Sequence, residues 1–252
     1  TKGGKRLRGF MVMQSAHLHD IPSDKSIWPA TGIEALHAYS LVHDDLPCMD
    51  NDDLRRGEPT VHIKWDETTA VLAGDALQTL AFELVGKPEV GSGDVRADLS
   101  LSLARAAGAK GMVLGQALDI AASSANQALT LDEITTLQRG KTGALIEWSA
   151  TAGARLAGAD ITPLQTYSLA LGLAFQIADD VLDITGDATT IGKATGKDAN
   201  AGKATFVSLL GLDEAKRRAQ SLVTAACDAL QPYGANADIL RETARFVIAR
   251  KK

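Results

Sequence analysis

Two clusters of aspartate, far apart in the chain and each set in apolar sequence, constrain this protein more than any other feature. The first reads Asp44-Asp45-Leu46-Pro47-Cys48-Met49-Asp50, with Arg55-Arg56 close behind. The second reads Asp179-Asp180-Val181-Leu182-Asp183, with Lys193, Lys197 and Lys203 downstream. Charge in apolar surroundings is costly unless it is compensated. Hard divalent cations are natural partners for clustered carboxylates, and Mg²⁺ commonly keeps one or two of them and fills its shell with water and substrate phosphates. The pattern therefore predicts a cavity in which a diphosphate is held through Mg²⁺, with cationic side chains around its rim.

The spacing of apolar residues predicts consecutive helices. One covers Ile33 to Leu46 and is stopped by Pro47. Asp66 can cap a helix running to Val85, and the Gly, Pro and Ser content of residues 86–94 marks a loop. Further helices are expected over 95–107 and 110–122. Thr130-Leu131-Asp132-Glu133 is a capping box that opens a long helix to Leu156. Thr162-Pro163-Leu164-Gln165 is a second capping box, opening the helix that carries the second aspartate cluster to Gly186. Residues 186–202 read as a Gly- and Lys-rich loop, and two more helices start near Asp213 and Asn236. No alternating strand and no Gly/Ser linker is evident. The expectation is one all-α domain over residues 1–252, with helices around a central cavity and both clusters at one end of it.

In the second cluster Asp179, Asp180 and Asp183 share a helix face at spacings of three and four, with Gln176 one turn before. Three carboxylates on one face repel unless a cation sits among them. A solvated acidic stripe is the alternative, but Phe175, Ile177, Val181 and Leu182 surround the acids. Asp44 and Asp45 lie at the C-terminal end of their helix, where the dipole disfavours negative charge; a cation site explains them, and an Asp- and Pro-rich turn is the alternative. His37 lies two turns before Asp44 on nearly the same face. Gly3-Gly4-Lys5-Arg6-Leu7-Arg8 joins cations to glycines that let a backbone approach an anion. Arg55-Arg56, Lys141-Thr142 in an apolar helix, and Lys193 with Lys197 in the glycine-rich loop add further anion-binding candidates. A frayed basic terminus or an ordinary solvated loop is the plainer reading of each taken alone.

Bulk properties exclude several classes. A net charge of −5 argues against a nucleic-acid surface. No apolar run reaches the roughly 18 residues that suggest a membrane span. Two cysteines, Cys48 and Cys227, make no disulfide framework and fit a reduced, cytoplasmic setting. Aromatics amount to only 4% while Ala and Leu abound, which favours helix over sheet.

Taken together these segments resemble the trans-prenyltransferases, the polyprenyl synthase family, in its bacterial farnesyl diphosphate synthase branch. The resemblance runs through Gly3–Arg8, His37–His43, Asp53-Leu54-Arg55-Arg56-Gly57, Leu72–Leu77, Gly115–Asp119, Lys141–Ala144 and Phe175-Gln176. The first motif has four residues between Asp45 and Asp50, as in the bacterial and plastid type. The resemblance implies an all-α isoprenoid-synthase fold, a homodimer, three Mg²⁺ ions, and condensation of isopentenyl diphosphate with dimethylallyl or geranyl diphosphate. It implies Asp44, Asp50 and Asp179 as metal ligands, supported by Asp45, Asp180 and Asp183. By the same carry-over Lys5, Arg8, His37 and Arg56 hold isopentenyl diphosphate. Arg55, Lys141, Thr142, Gln176 and Lys193 hold the allylic substrate, with Lys203 as a supporting cation. Family members also carry a helical segment ahead of the Gly-Gly-Lys motif, which this sequence does not include.

Product length is expected to depend on Tyr39, five residues and about 7.5 Å of helix axis before Asp44, where an aromatic ring can block the channel for the growing chain; Ser40 beside it is small. In the family the residues at these two positions determine chain length, and Tyr there suggests a fifteen-carbon product. A geranylgeranyl or longer-chain synthase is the alternative within the class, and a non-catalytic regulatory subunit of a prenyltransferase the alternative outside it. Such subunits lose aspartates from these motifs, and here all are present.

Overall fold

The computed structural model describes residues 4–123, 128–185 and 204–249. In chain order its elements are α1 (Leu7–His17), α2 (Ser23–Asp44), β1 (Leu54–Arg55), β2 (Glu58–Pro59), α3 (Val61–Lys64) and α4 (Glu67–Val85). They continue with α5 (Gly93–Ala107), α6 (Met112–Ser123), α7 (Leu131–Gln138), a π-helical segment (Arg139–Gly143), α8 (Ala144–Ala157), α9 (Thr162–Thr185), α10 (Phe206–Leu210), α11 (Leu212–Ala229) and α12 (Asp238–Ala249). The described residues are all-α apart from one two-residue antiparallel ladder, in which Leu54 pairs with Pro59 and Arg55 with Glu58. The expected fold class holds. The chain divides into two compact units, residues 1–102 with 152–159, and residues 103–151 with 160–252; the boundary falls inside α5 and α8.

Local chemistry explains several helix ends. Asp66 accepts a 2.6 Å hydrogen bond from the Thr69 N–H and starts α4 as expected. Thr130 and Glu133 form the anticipated capping box of α7, Glu133 Oε2 accepting from the Thr130 N–H at 2.8 Å. The box expected at Thr162 is not made. Asp160 accepts from the Thr162 N–H and hydroxyl, and the Gln165 side chain turns instead to Glu147 at 2.7 Å.

The expected single helix over 130–156 is also corrected: its middle is the π-helical turn Arg139–Gly143. Two glycines loosen this stretch, and α6 meets it backbone to backbone, since a Cβ on Gly115 would overlap the Lys141 main chain. Helix α2 starts ten residues earlier than anticipated, running through Pro29. A proline inside a helix forfeits one backbone bond; Pro29 is buried, and packing of α2 against α1 and α4 outweighs that loss.

In the first unit α2 is the spine, packed against α1 and α4. Met11, Val12, Ala16, Ile33, Leu36, Ala70, Ala81 and Val85 are fully buried there. The end of α8 joins this unit through Gly153, whose N–H donates to the Ser15 hydroxyl at 3.0 Å, and through Arg155, which is paired with Asp98. In the second unit α9 packs mainly against α11. Ile134, Ile177, Phe206, Val207, Ala215 and Ala219 form a core cluster, and the buried Tyr167 hydroxyl donates to the Leu240 carbonyl at 2.9 Å.

Candidate active site

The first unit gathers cations around α2. Burial and the surrounding charges of Arg8, Arg56, Arg55 and Arg6 push His37 down to about 3, so its ring is neutral and able to donate through only one nitrogen. Arg8 is lowered to about 10 by burial, partly offset by the charge of Glu34 and further depressed by Arg56. It therefore remains charged at neutral pH. Its buried Nε has no hydrogen-bond partner among the described residues, and a buried orphan donor carries a desolvation cost that an acceptor would relieve.

Arg56 sits at the first central position of the β1–β2 turn with φ 56°, followed by Gly57 at φ 79°. This is the twist that two-residue hairpins favour, but a non-glycine residue adopts it at a cost. Gly4, at φ 88°, lies directly against the Arg56 guanidinium, which a Cβ there would overlap. Lys5 is exposed beside it. Lys5, Arg8, His37 and Arg56, the four residues expected to hold one diphosphate, thus belong to one unit, three of them in a mutually interacting cationic nest.

The hairpin is anchored by Thr60, buried and missed by sequence reasoning. Its hydroxyl donates to the Asp52 carbonyl at 2.8 Å and lies 3.2 Å from His62 Nδ1, while its N–H donates to the Asp53 carbonyl. The stretch Pro59-Thr60-Val61-His62 carries no periodic signal that could mark it.

The first aspartate group divides its work. Asp45 is buried, and its Oδ1 accepts from Arg55 Nε at 2.7 Å and Nη2 at 2.5 Å. Burial acts to lower the Arg55 pKa, but the bond to Asp45 and the charges of Asp45, Asp44 and Asp52 raise it overall. Arg55, expected on the allylic substrate, is thus engaged within its own loop. Asp44 is half-buried at the end of α2, its carbonyl accepting from the Asp50 N–H at 2.9 Å, and Asp50 is exposed. The residue before Asp44, His43, bonds the Val71 carbonyl at 3.0 Å and lies on Gly74, where any Cβ would overlap its ring. Tyr39 meets His43 edge to face at a centroid distance of 5.1 Å. Burial and the nearby Asp75 raise the Tyr39 pKa, so the phenol stays neutral. The Ser40 hydroxyl turns back to the His37 carbonyl at 2.9 Å.

The second unit shows a similar division. Asp180 Oδ2 accepts from the Phe206 N–H at 2.6 Å and so fastens α10 to α9. Asp179 is exposed, while Asp183 and Gln176 are half-buried. Lys141, in the π-helical turn, donates to Asp119 Oδ2 at 2.6 Å. Asp119 is a partner that the sequence reading does not assign; an acid among the mostly apolar residues 112–122 is the signal that marks it. Thr142 follows in the same turn, half-buried. Lys193, Lys197 and Lys203 lie outside the described residues.

The donor set suits a hard cation bound together with a phosphate ligand. No three His, Cys, Asp or Glu side chains among the described residues converge as a cage of their own. The accessible donors are carboxylate oxygens, which is the sharing of a shell with substrate oxygens that Mg²⁺ adopts.

The comparisons with known proteins agree with this chemistry. The model of the polyprenyl synthetase family matches residues 1–234. The chain is 43% identical to the farnesyl diphosphate synthase of Escherichia coli strain K12 over 260 residues, covering 99% of this chain and 86% of that protein. Its structure is similar to that of an FPP/GFPP synthase from Zymomonas mobilis, with a TM-score of 0.90 and 45% identity, covering 98% of this chain and 84% of the other. It is also similar to a geranyltransferase from Helicobacter pylori complexed with magnesium and isoprenyl diphosphate, with a TM-score of 0.82 and 38% identity, covering 98% and 83%. The chain belongs to the polyprenyl synthetase family, and its fold is the all-α isoprenoid synthase fold.

Proposed function

We propose that this chain is a Mg²⁺-dependent trans-prenyltransferase that condenses isopentenyl diphosphate with dimethylallyl and then geranyl diphosphate to give farnesyl diphosphate. The observation that carries this reading is the nest of the first unit, in which Arg8, with its enclosed Nε, neutral His37 and Arg56 act on one another beside the helix that ends in Asp44. Identity to farnesyl diphosphate synthases over nearly the whole chain supports it.

Lys5, Arg8, His37 and Arg56 hold the isopentenyl diphosphate, Arg56 and Arg8 as charged donors and His37 through its single N–H. Asp44, Asp50 and Asp179 hold Mg²⁺, three ions when both substrates are bound. When bound, Mg²⁺ stabilises charge on the departing diphosphate. Asp45 and Asp180, each with one oxygen committed to the scaffold, set the loop at Arg55 and the start of α10, and with Asp183 they support the metal ligands directly or through water. Lys141, Thr142, Gln176, Arg55, Lys193 and Lys203 serve the allylic diphosphate. The allylic C–O bond breaks, the double bond of isopentenyl diphosphate attacks the resulting cation, and the released diphosphate takes the proton that is lost. Apolar side chains exclude water that would quench the cation. Residues 1–252 act as one synthase domain, as a homodimer in the cytoplasm. No helix among the described residues is long and apolar enough to cross a membrane.

Incubation with isopentenyl and dimethylallyl diphosphates tests this. Mainly fifteen-carbon product is expected with Mg²⁺ and none with a chelator; absence of any condensed product overturns the reading. A longer product is the second reading, favoured by the likeness to the Zymomonas mobilis FPP/GFPP synthase.

A further inference from the structure

We infer that Glu34 is a positioning residue for the isopentenyl diphosphate site: reaching across from α2, its carboxylate caps the N-terminus of α1 and so fixes where Arg8 stands. This rests on the reading of Arg8 as a diphosphate-binding group.

Helix α1 has no cap of its own. Its N-cap residue, Arg6, is left-handed at φ 51° and ψ 33° and offers no side-chain acceptor. The first-turn N–H groups of a helix lack partners within it. Glu34 Oε1 accepts from the Gly9 N–H at 2.9 Å, at the third helical residue, where capping side chains bond. Its other oxygen lies 3.7 Å from Arg6 Nη1. A carboxylate at this end is also favoured by the helix dipole.

The joint is close-fitting. A Cβ on Gly9 would come within 3.1 Å of both the Ala30 carbonyl and Glu34 Cγ, so the start of α1 lies directly on α2. Ala30 and Glu34 are four residues apart and His37 is three further on, so all three share one face of α2. The contact that seats α1 is therefore about one turn from His37, and Arg8 immediately precedes the seated glycine. Arg8 is half-buried as a residue while its Nε is fully enclosed, which leaves the side chain little freedom to make up for a shifted backbone.

Coulomb's law alone argues against an acid here. A negative charge among the groups that bind a diphosphate weakens the attraction for the anion. Glu34 is only 17% exposed by its side chain, so water does not remove that effect. Its presence is explained by what its oxygen holds rather than by its charge.

This separates Glu34's hydrogen bond from its charge. In Glu34→Gln an amide oxygen can still accept from Gly9 while the opposing charge is gone; in Glu34→Asp the charge remains but the shorter chain withdraws from Gly9; Glu34→Ala loses both. Steady-state KM for isopentenyl diphosphate and for geranyl diphosphate are measured for each, with Arg8→Ala as the reference for the nest. Glu34→Asp and Glu34→Ala are expected to raise KM for isopentenyl diphosphate about tenfold, with KM for geranyl diphosphate within twofold. Glu34→Gln should leave both at or below the wild-type value. If Glu34→Ala does not fold, the contrast between Asp and Gln decides. Should Arg8→Ala raise KM for isopentenyl diphosphate while Glu34→Asp does not, or Gln prove as damaging as Asp, the role of Glu34 is overturned and the nest stands. Should Arg8→Ala leave that KM unchanged, the nest reading and this inference fall together.

Discussion

The cationic nest of the first unit and the acidic helix face of the second handle charge in opposite ways. In the nest, Arg6, Arg8, Arg55 and Arg56 all act on one neutral histidine, and a buried Arg8 nitrogen has no acceptor among the described residues. In the second unit, Lys141 is already paired with Asp119 at 2.6 Å, and the carboxylates Asp179, Asp180 and Asp183 dominate α9. On the function proposed above, the first region takes an anion directly and the second takes one through a cation. In both, the second aspartate of an adjacent pair is turned to scaffold work, Asp45 on Arg55 and Asp180 on the Phe206 N–H.

The largest effect is expected at the acids. Asp44→Ala or Asp179→Ala should lower turnover by roughly two to three orders of magnitude with the helical circular dichroism unchanged. Near-normal turnover in either variant, assayed across a Mg²⁺ titration, removes the cation from the account. Asp45→Ala should differ from Asp44→Ala in lowering stability as well, because it strands Arg55.

The contrast between the units can be sharpened next. Arg8→Ala and Arg56→Ala each remove a charged donor, worth roughly tenfold to a hundredfold in KM for isopentenyl diphosphate, and should spare geranyl diphosphate. Lys141→Ala should do the reverse. Equal effects on both substrates would show that the two regions do not divide the diphosphates.

Product length should shift less sharply. Tyr39→Ala removes the ring packed on His43 and should move product from fifteen towards twenty carbons, read by chromatography of the dephosphorylated alcohols. An unchanged distribution would mean that Tyr39 does not limit the chain.

The last effect is on pH-dependent stability. Folded His37 binds its proton only near 3, against an ordinary 6.5. Between those values unfolding takes up a proton, so stability is full above about 6.5 and falls as the solution is acidified towards 3. In urea unfolding followed against pH, His37→Gln should lose stability less steeply across that window. Parallel wild-type and variant curves would mean that His37 titrates normally.

Much of this was legible in the sequence because it depends on short-range pattern. Asp66 and Thr130 cap helices through residues three positions away, and the face shared by Asp179, Asp180 and Asp183 follows from helical period. What escaped depends on distant neighbours. The π-helical turn at Lys141 reflects the approach of Gly115, and α2 runs through Pro29 because α1 and α4 bury it. Helix α1 is seated by Glu34, far along the chain, with no acceptor of its own at Arg6.

The sequence by itself determined the helical class, the helix ends with local caps, and which residue types could meet a diphosphate and a hard cation, since each follows from spacing along one segment. The tertiary structure alone decided which of those charges remain for substrate. Asp45 and Asp180 look equivalent to Asp44 and Asp179 in sequence, yet each has an oxygen committed to a partner outside its own helix. The ionisation of His37 was equally beyond local reading, because burial and four converging arginines set it.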